Sequence, residues 1–129
     1  MKERLRHLAI FCVAVWAMKA FALDLRPYSA EAFAQAQRAG QPVALHFHAA
    51  WCPTCLVQER VIQSLQSDPA LTLTVLVVDY DKDRSVAAAL RVPAQSVILV
   101  YRGTRELSML AGTTDKARIR AAFLAAQQP

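Results

Sequence analysis

Long apolar runs, repeats, methionine clusters and multiple cysteine pairs are scarce in this 129-residue chain, and each shortage closes off a class of function. The apolar run near the amino terminus, Leu8 to Met18, is 11 residues long, whereas a helix that spans a bilayer needs about 20. No cluster of Lys or Arg with interleaved aromatics occurs beyond residue 22, so nucleic acid is not an expected partner. The formal charge of +5 is concentrated at the start, where Lys2, Arg4, Arg6 and Lys19 oppose only Glu3; the remainder has 11 basic and 9 acidic residues. Only one C-x-x-C pair is present, and structural zinc usually draws its four ligands from two such pairs. With no internal repeat and no low-complexity linker, the length and the 55% hydrophobic share describe one domain with one well-filled core.

The first segment has the pattern of an export signal. "MKERLRH" is a basic n-region, "LAIFCVAVWAM" an apolar h-region, and "KAFA" ends in small residues around a bulky one. The expectation is a leader over residues 1–22 that is removed after Ala22, with a domain over 23–129 in the periplasm. The alternative is a leader retained as an N-terminal membrane anchor. Cys12 lies within the apolar run behind the bulky Phe11, which does not suit a lipoprotein signal, and it is lost with the leader. Two cysteines then remain, Cys52 and Cys55 of "WCPTC", in a compartment where disulfides persist. They close too small a loop to act as a stabilising staple. A metal site would have to recruit His46 or His48, since His7 is also lost.

Periodicity predicts an order of elements. "SAEAFAQAQRAG" (29–40) is a helix with a Ser N-cap and a Gly stop. "PVALHFHA" (42–49) is a strand with Val43, Leu45 and Phe47 on one face and Ala44, His46 and His48 on the other. From Pro53 to Ser67 the period turns helical, with Leu56, Val57, Val61, Ile62 and Leu65 as its apolar stripe. "LTLTVLVVDYD" (71–81) has the β-branched density of a strand buried on both faces. A short helix (83–92), two strands joined around Gly103 (96–103 and 105–112) and a capped helix (113–128) with Ile119, Phe123 and Leu124 inward complete the chain. Strands separated by helices require parallel crossovers, and the late hairpin adds an antiparallel edge. The expected fold is a three-layer α/β/α domain around a central mixed sheet.

The cysteine spacing follows from where that helix begins. Pro53 suits the first helical position, which leaves Cys52 at the N-cap, where free amides and the helix dipole favour an anion. Such a placement lowers a thiol's pKa. Cys55, three residues on, lies about 5–6 Å away on the same helical face, within disulfide range. The pair reads as an exposed attacking sulfur and a shielded resolving one, exchanging disulfides through a mixed-disulfide intermediate.

"WCPTC" at the end of a buried strand and the start of a helix resembles the thioredoxin superfamily, and the likeness in element order extends over residues 27–127. The resemblance implies a thiol–disulfide oxidoreductase with Cys52 as nucleophile, Cys55 as resolving thiol, Pro53 and Thr54 as the intervening dipeptide, and Trp51 on the surface where partner proteins dock. It implies protein thiols and disulfides as substrates, an electron donor in the membrane or periplasm, and no bound cofactor or metal. The chain lacks the inserted helical domain of exported disulfide-forming oxidases, and the long insert and acidic loop of cytochrome c maturation reductases. A small reductant or general exchanger is therefore expected. A copper-handling thiol protein and a non-catalytic binding module on the same scaffold are the alternatives.

Two positions depart from the family's pattern. Where many thioredoxins keep a buried carboxylate, six residues before the nucleophile, this chain has His46, which near an ordinary pKa of about 6.5 would serve as a base; a neutral core histidine bonded to backbone is the competing reading. His48 is expected to pack rather than react. The family's cis-proline aligns with Gln95 and its following Thr with Ser96, so Gln95 and Ser96 are expected to face the cysteines while Pro93 only shapes the loop. For the leader, expression in an exporting bacterium is predicted to yield a protein whose N-terminal sequence begins at Leu23; a product that still starts at Met1 would contradict cleavage.

Overall fold

A computed structural model describes residues 22–129. The leader reading, apart from Ala22, and Cys12 lie outside the described residues. The elements are β1 (Asp24–Pro27), α1 (Ala30–Arg38), β2 (Pro42–His48), α2 (Pro53–Leu65), β3 (Thr74–Asp79), α3 (Arg84–Ala89), β4 (Val97–Arg102), β5 (Arg105–Ala111) and α4 (Lys116–Gln127). Five strands form one sheet in the order β1-β3-β2-β4-β5. β1, β3 and β2 run parallel, whereas β4 and β5 add antiparallel to β2.

The expected three-layer arrangement is present, with one element that the sequence reading omitted. β1 is a four-residue edge strand, "DLRP", in which two charged residues and a proline hide any alternation. Its position at the sheet edge tolerates them, because proline cannot donate to a ladder and charge discourages further pairing.

Alternation along β2 divides the core. Val43, Leu45 and Phe47 pack with Leu76, Val78, Leu99 and Tyr101 beneath Phe33 of α1 and Ala87 of α3. Ala44 joins Val75, Ile98 and Val100 beneath Ile62 and Leu65 of α2 and Ile119 and Phe123 of α4. His46 lies on that second face and is fully buried. The stripe expected for α2 is corrected. Its buried side is Cys55, Gln58, Ile62 and Leu65, while Leu56 and Val57 are exposed. The face turned to the sheet thus carries the second cysteine and a glutamine beside its apolar residues.

Two of the helix starts read from sequence carry oxygen caps. Ser29 Oγ accepts from the Ala32 amide at 3.0 Å, and Asp115 accepts from the amides of Ala117 and Arg118. The β4–β5 turn needs Gly103, whose φ is +57° and whose missing Cβ would stand 3.2 Å from Gly40 Cα and 3.4 Å from the Gln37 carbonyl. Gly40 shares the left-handed φ but opens to free space. Gly103→Ala is accordingly expected to cost about 2 kcal/mol and Gly40→Ala about 1 kcal/mol in urea unfolding. Equal costs would mean that the turn is not held against the α1 terminus.

Candidate active site

The site is built at the carboxyl end of β2, where the strand passes through 49–52 into α2. Cys52 is the N-cap residue, with extended backbone (φ −89°, ψ 111°), and Pro53 follows at the first helical position. Cys52 Sγ accepts from the Cys55 amide at 3.2 Å, so the sulfur itself caps the helix. Both cysteines are free thiols. Cys55 is wholly buried, with its thiol directed at the Phe47 carbonyl, 3.9 Å away. Cys52 is less exposed than expected: only 4% of it reaches solvent, so an attacking sulfur is presented at a narrow opening rather than on an open surface.

The two sulfurs differ in acidity. Burial works against ionising Cys52. The thiol and amide of Cys55, the Ser96 hydroxyl and the Thr54 amide outweigh it and hold Cys52 below its ordinary value. For Cys55, burial dominates, and the hydrogen bond and charge of Cys52 add to it, pushing the thiol up to about 11 despite help from backbone at Ala49 and Ser96. One sulfur is prepared to attack and the other is held in reserve.

Around this pair the expected residues separate. Trp51 is 62% exposed and is tethered by its indole N–H, which donates to Asp81 Oδ2 at 2.8 Å. Thr54 acts through its backbone. Ser96 and Gln95 both lie in the loop before β4, where Ser96 Oγ donates to the Gln95 carbonyl at 2.7 Å; the Ser96 hydroxyl is among the groups that lower the Cys52 pKa. Pro93 is exposed, its peptide bond is trans, and its carbonyl accepts from the Tyr80 hydroxyl at 3.3 Å.

His46 differs from the expectation of a base titrating near the ordinary value. Burial draws its pKa down to about 4, a hydrogen bond with Gln58 opposes this, and nearby His48 adds to it. The ring is neutral at neutral pH. Its Nε2 lies 3.0 Å from Gln58 Oε1, a side-chain partner where backbone was the competing expectation. His48 stands edge-on to His46 at 5.4 Å between ring centroids and 3.5 Å from the Glu59 carboxylate.

Gln58 is the site residue that sequence reasoning missed. The signal was a polar side chain at helical spacing from Cys55, Ile62 and Leu65, in a stripe otherwise apolar. Among the described residues, no group of three or more His, Cys, Asp or Glu side chains gathers as a metal ion would require.

A dithiol at a helix start, one sulfur acidified and the other buried against the end of β2, defines a disulfide-exchange centre. The family model described as Thioredoxin matches residues 25–125, and the chain belongs to the thioredoxin family. It is 25% identical over 89 residues to a thioredoxin of Alicyclobacillus acidocaldarius, covering 69% of this chain and 85% of that one. A thioredoxin of Mycobacterium tuberculosis is 24% identical over 79 residues, covering 61% and 68% of the two chains. Among solved structures, Trxlp from Edwardsiella tarda superposes with a TM-score of 0.73 at 35% identity, covering 78% of this chain and 98% of that one. A thioredoxin variant from Halobacterium salinarum gives the same TM-score at 16% identity, covering 85% and 96%, a likeness of fold. The protein is a thiol–disulfide oxidoreductase of the thioredoxin type.

The depressed pKa of His46 has a measurable consequence for stability. Between about 6.5 and about 4 the unfolded chain binds a proton at this position that the folded chain refuses, so stability falls as pH falls through that window. The loss is on the order of 3 kcal/mol. In His46→Gln, which has no group to titrate there, unfolding free energy measured against pH should be correspondingly flatter. An unchanged slope would show that His46 is protonated in the fold.

Proposed function

We propose that this protein is an exported, periplasmic thiol–disulfide exchanger working chiefly as a reductant, with Cys52 as the attacking thiolate and Cys55 as the resolving thiol. The observation that carries the reading is the opposed acidity of the two sulfurs, Cys52 below its ordinary value and Cys55 at about 11.

In the first step Cys52 Sγ⁻ attacks one sulfur of a partner's disulfide. That S–S bond breaks, and the departing sulfur leaves as a thiolate and takes a proton. A mixed disulfide now joins Cys52 to the partner. Burial still restrains Cys55, but the charge on Cys52 is gone, and with it the hydrogen bond that had raised the Cys55 pKa. Cys55 ionises more readily at this stage, attacks Cys52 Sγ, and expels the partner's second sulfur as a thiolate. Two electrons pass to the partner, and the Cys52–Cys55 disulfide remains for a membrane or periplasmic dithiol donor to reduce. The neutral His46 is a poor acceptor for this proton, since its pKa of about 4 lies far below that of Cys55.

Trp51, exposed at the opening, and Leu56 and Val57, exposed on the first turns of α2, supply an apolar rim for an unfolded or extended polypeptide. The reductant assignment draws support from the connection between β3 and α3, Tyr80 to Asp83, which leaves no space for the inserted helical domain of exported oxidases. Burial of Cys52 also tempers its thiolate, and a weakly stabilised thiolate favours a reducing pair.

Equilibration of the pair against glutathione or dithiothreitol is predicted to give a potential near that of thioredoxin, about −270 mV, and a value near about −120 mV would reverse the direction of electron flow. Cys52→Ser is expected to abolish reduction of a test disulfide, while Cys55→Ser should accumulate the mixed disulfide on a non-reducing gel. Trapping by Cys52→Ser instead would exchange the two roles.

A further inference from the structure

A cleft of about 410 Å³ lies at the carboxyl ends of β1, β3 and β2, next to α2. The carboxyl ends of parallel strands are where open α/β sheets hold their ligands, and the exchange chemistry makes no use of this cleft. Leu25, Pro27 and Val77 form its apolar wall, and His48, Glu59 and Asp79 supply the polar one. Ala50, two residues before Cys52, also lines it. Two residues of chain span at most about 7 Å. An occupant touching Ala50 is therefore about one long side chain away from the reacting cysteine.

The polar wall is incomplete by itself. His48 Nε2 is buried without a hydrogen-bond partner among the described residues, and Glu59 Oε2 stands 3.5 Å from it. Glu59 has no Lys or Arg partner among the described residues. The other charged groups of the cleft are engaged. Asp79 Oδ1 accepts from the Asp81 and Lys82 amides, each at 3.1 Å, and its Oδ2 is 3.7 Å from Lys82 Nζ. Arg26 is paired with Asp24 at 2.6 Å. What remains is one carboxylate beside one unsatisfied ring nitrogen, which accepts when the ring hydrogen is on Nδ1. An ammonium has three donors and a guanidinium five, so either gives a hydrogen to both acceptors. An anion would be repelled by Glu59, and an alkyl group would leave Nε2 unpaired.

We propose that this cleft is a subsite for a lysine or arginine side chain of the partner polypeptide, close in sequence to the partner's reacting cysteine. The methylene stem lies against Leu25, Pro27 and Val77, and the cationic head bridges Glu59 and His48 Nε2. The inference rests on the reading of the protein as an exchanger that acts on polypeptide disulfides. The chain as a whole carries a formal charge of +5, so long-range attraction favours acidic partners. Preference for a basic residue at one position is then a local property, and Glu59 is its source. The subsite orients the partner and takes no part in the transfer of electrons.

The test is the second-order rate at which the purified, reduced protein opens a set of peptide disulfides. In these peptides Lys, norleucine or Glu is placed in turn at the two positions on either side of the cysteine. Norleucine keeps the stem and lacks the charge. At one position or more Lys should react about fivefold faster than norleucine, and Glu more slowly than either. Glu59→Gln keeps the shape of the wall and removes its charge, and should bring the Lys to norleucine ratio below about twofold. A ratio near one at every position overturns the proposal, as does a fivefold ratio that survives in Glu59→Gln. A second measurement needs no disulfide. Butylguanidinium titrated into isotope-labelled protein should give saturable NMR shifts at the amides of His48, Ala50, Glu59 and Val77, with affinity about fivefold weaker in Glu59→Gln. A protein that binds butylguanidinium in this way but opens no peptide disulfide would sink the exchanger reading and leave the cation subsite in place. One that opens every peptide alike and gives no saturable shifts would sink the subsite and leave the exchanger reading.

Discussion

The hydrogen bond from the Cys55 amide to Cys52 Sγ is the contact on which the site depends. It makes a sulfur the cap of α2, so the anion-favouring end of the helix and the reacting atom coincide. The same first turn carries the second cysteine inward. Cys55 and Gln58 go inward and Leu56 and Val57 outward, so the capped dithiol and exposed apolar side chains share the start of α2. The strand beneath supplies the rest. β2 lies between β3 and β4, and its carboxyl end is held firmly enough to present a short loop and a helix start in fixed register.

A second constraint comes from burying polar groups under that loop. A carboxylate at position 46 would bring a charge beneath the dithiol. A histidine there is neutral near pH 7 and requires a partner, and Gln58 answers it. The amide then has two hydrogens to place, and the carbonyls of Ser96 and Thr113 receive them. Substituting a neutral ring for a charge thus ties α2 to the loop before β4 and to the turn after β5, two segments distant in sequence that flank the sulfurs. Neutral hydrogen bonds stand here where an ionisable group would otherwise lie beneath the dithiol.

Much of this was legible in the order of residues. Pro53 behind Cys52 announced the helix start and the cap, and the alternation of Val43 to His48 divided the two core faces correctly. What escaped reading has physical reasons. β1 is short, charged and ends in proline, so period and propensity were both silent. The inward side of α2 includes a cysteine and a glutamine, so helical period read on large apolar side chains places Leu56 and Val57 inside instead. The choice between His46 as a base and His46 as a neutral core ring stays open in sequence because desolvation is a tertiary quantity, and a polar residue such as Gln58 in an apolar stripe gains meaning only when its partners, 12 to 55 residues away in sequence, are known. The family resemblance points to Ser96, but its left-handed backbone, unusual for serine, has no mark in the sequence.

The central claim is that one fold gives two chemically identical thiols opposite acidities. Absorbance at 240 nm, followed against pH in the reduced protein with alkylation mapping to assign each step, measures this directly. The account predicts two separated ionisations, Cys52 below the ordinary cysteine value and Cys55 at about 11. Overlapping steps near the ordinary value, or Cys55 ionising first, would contradict it.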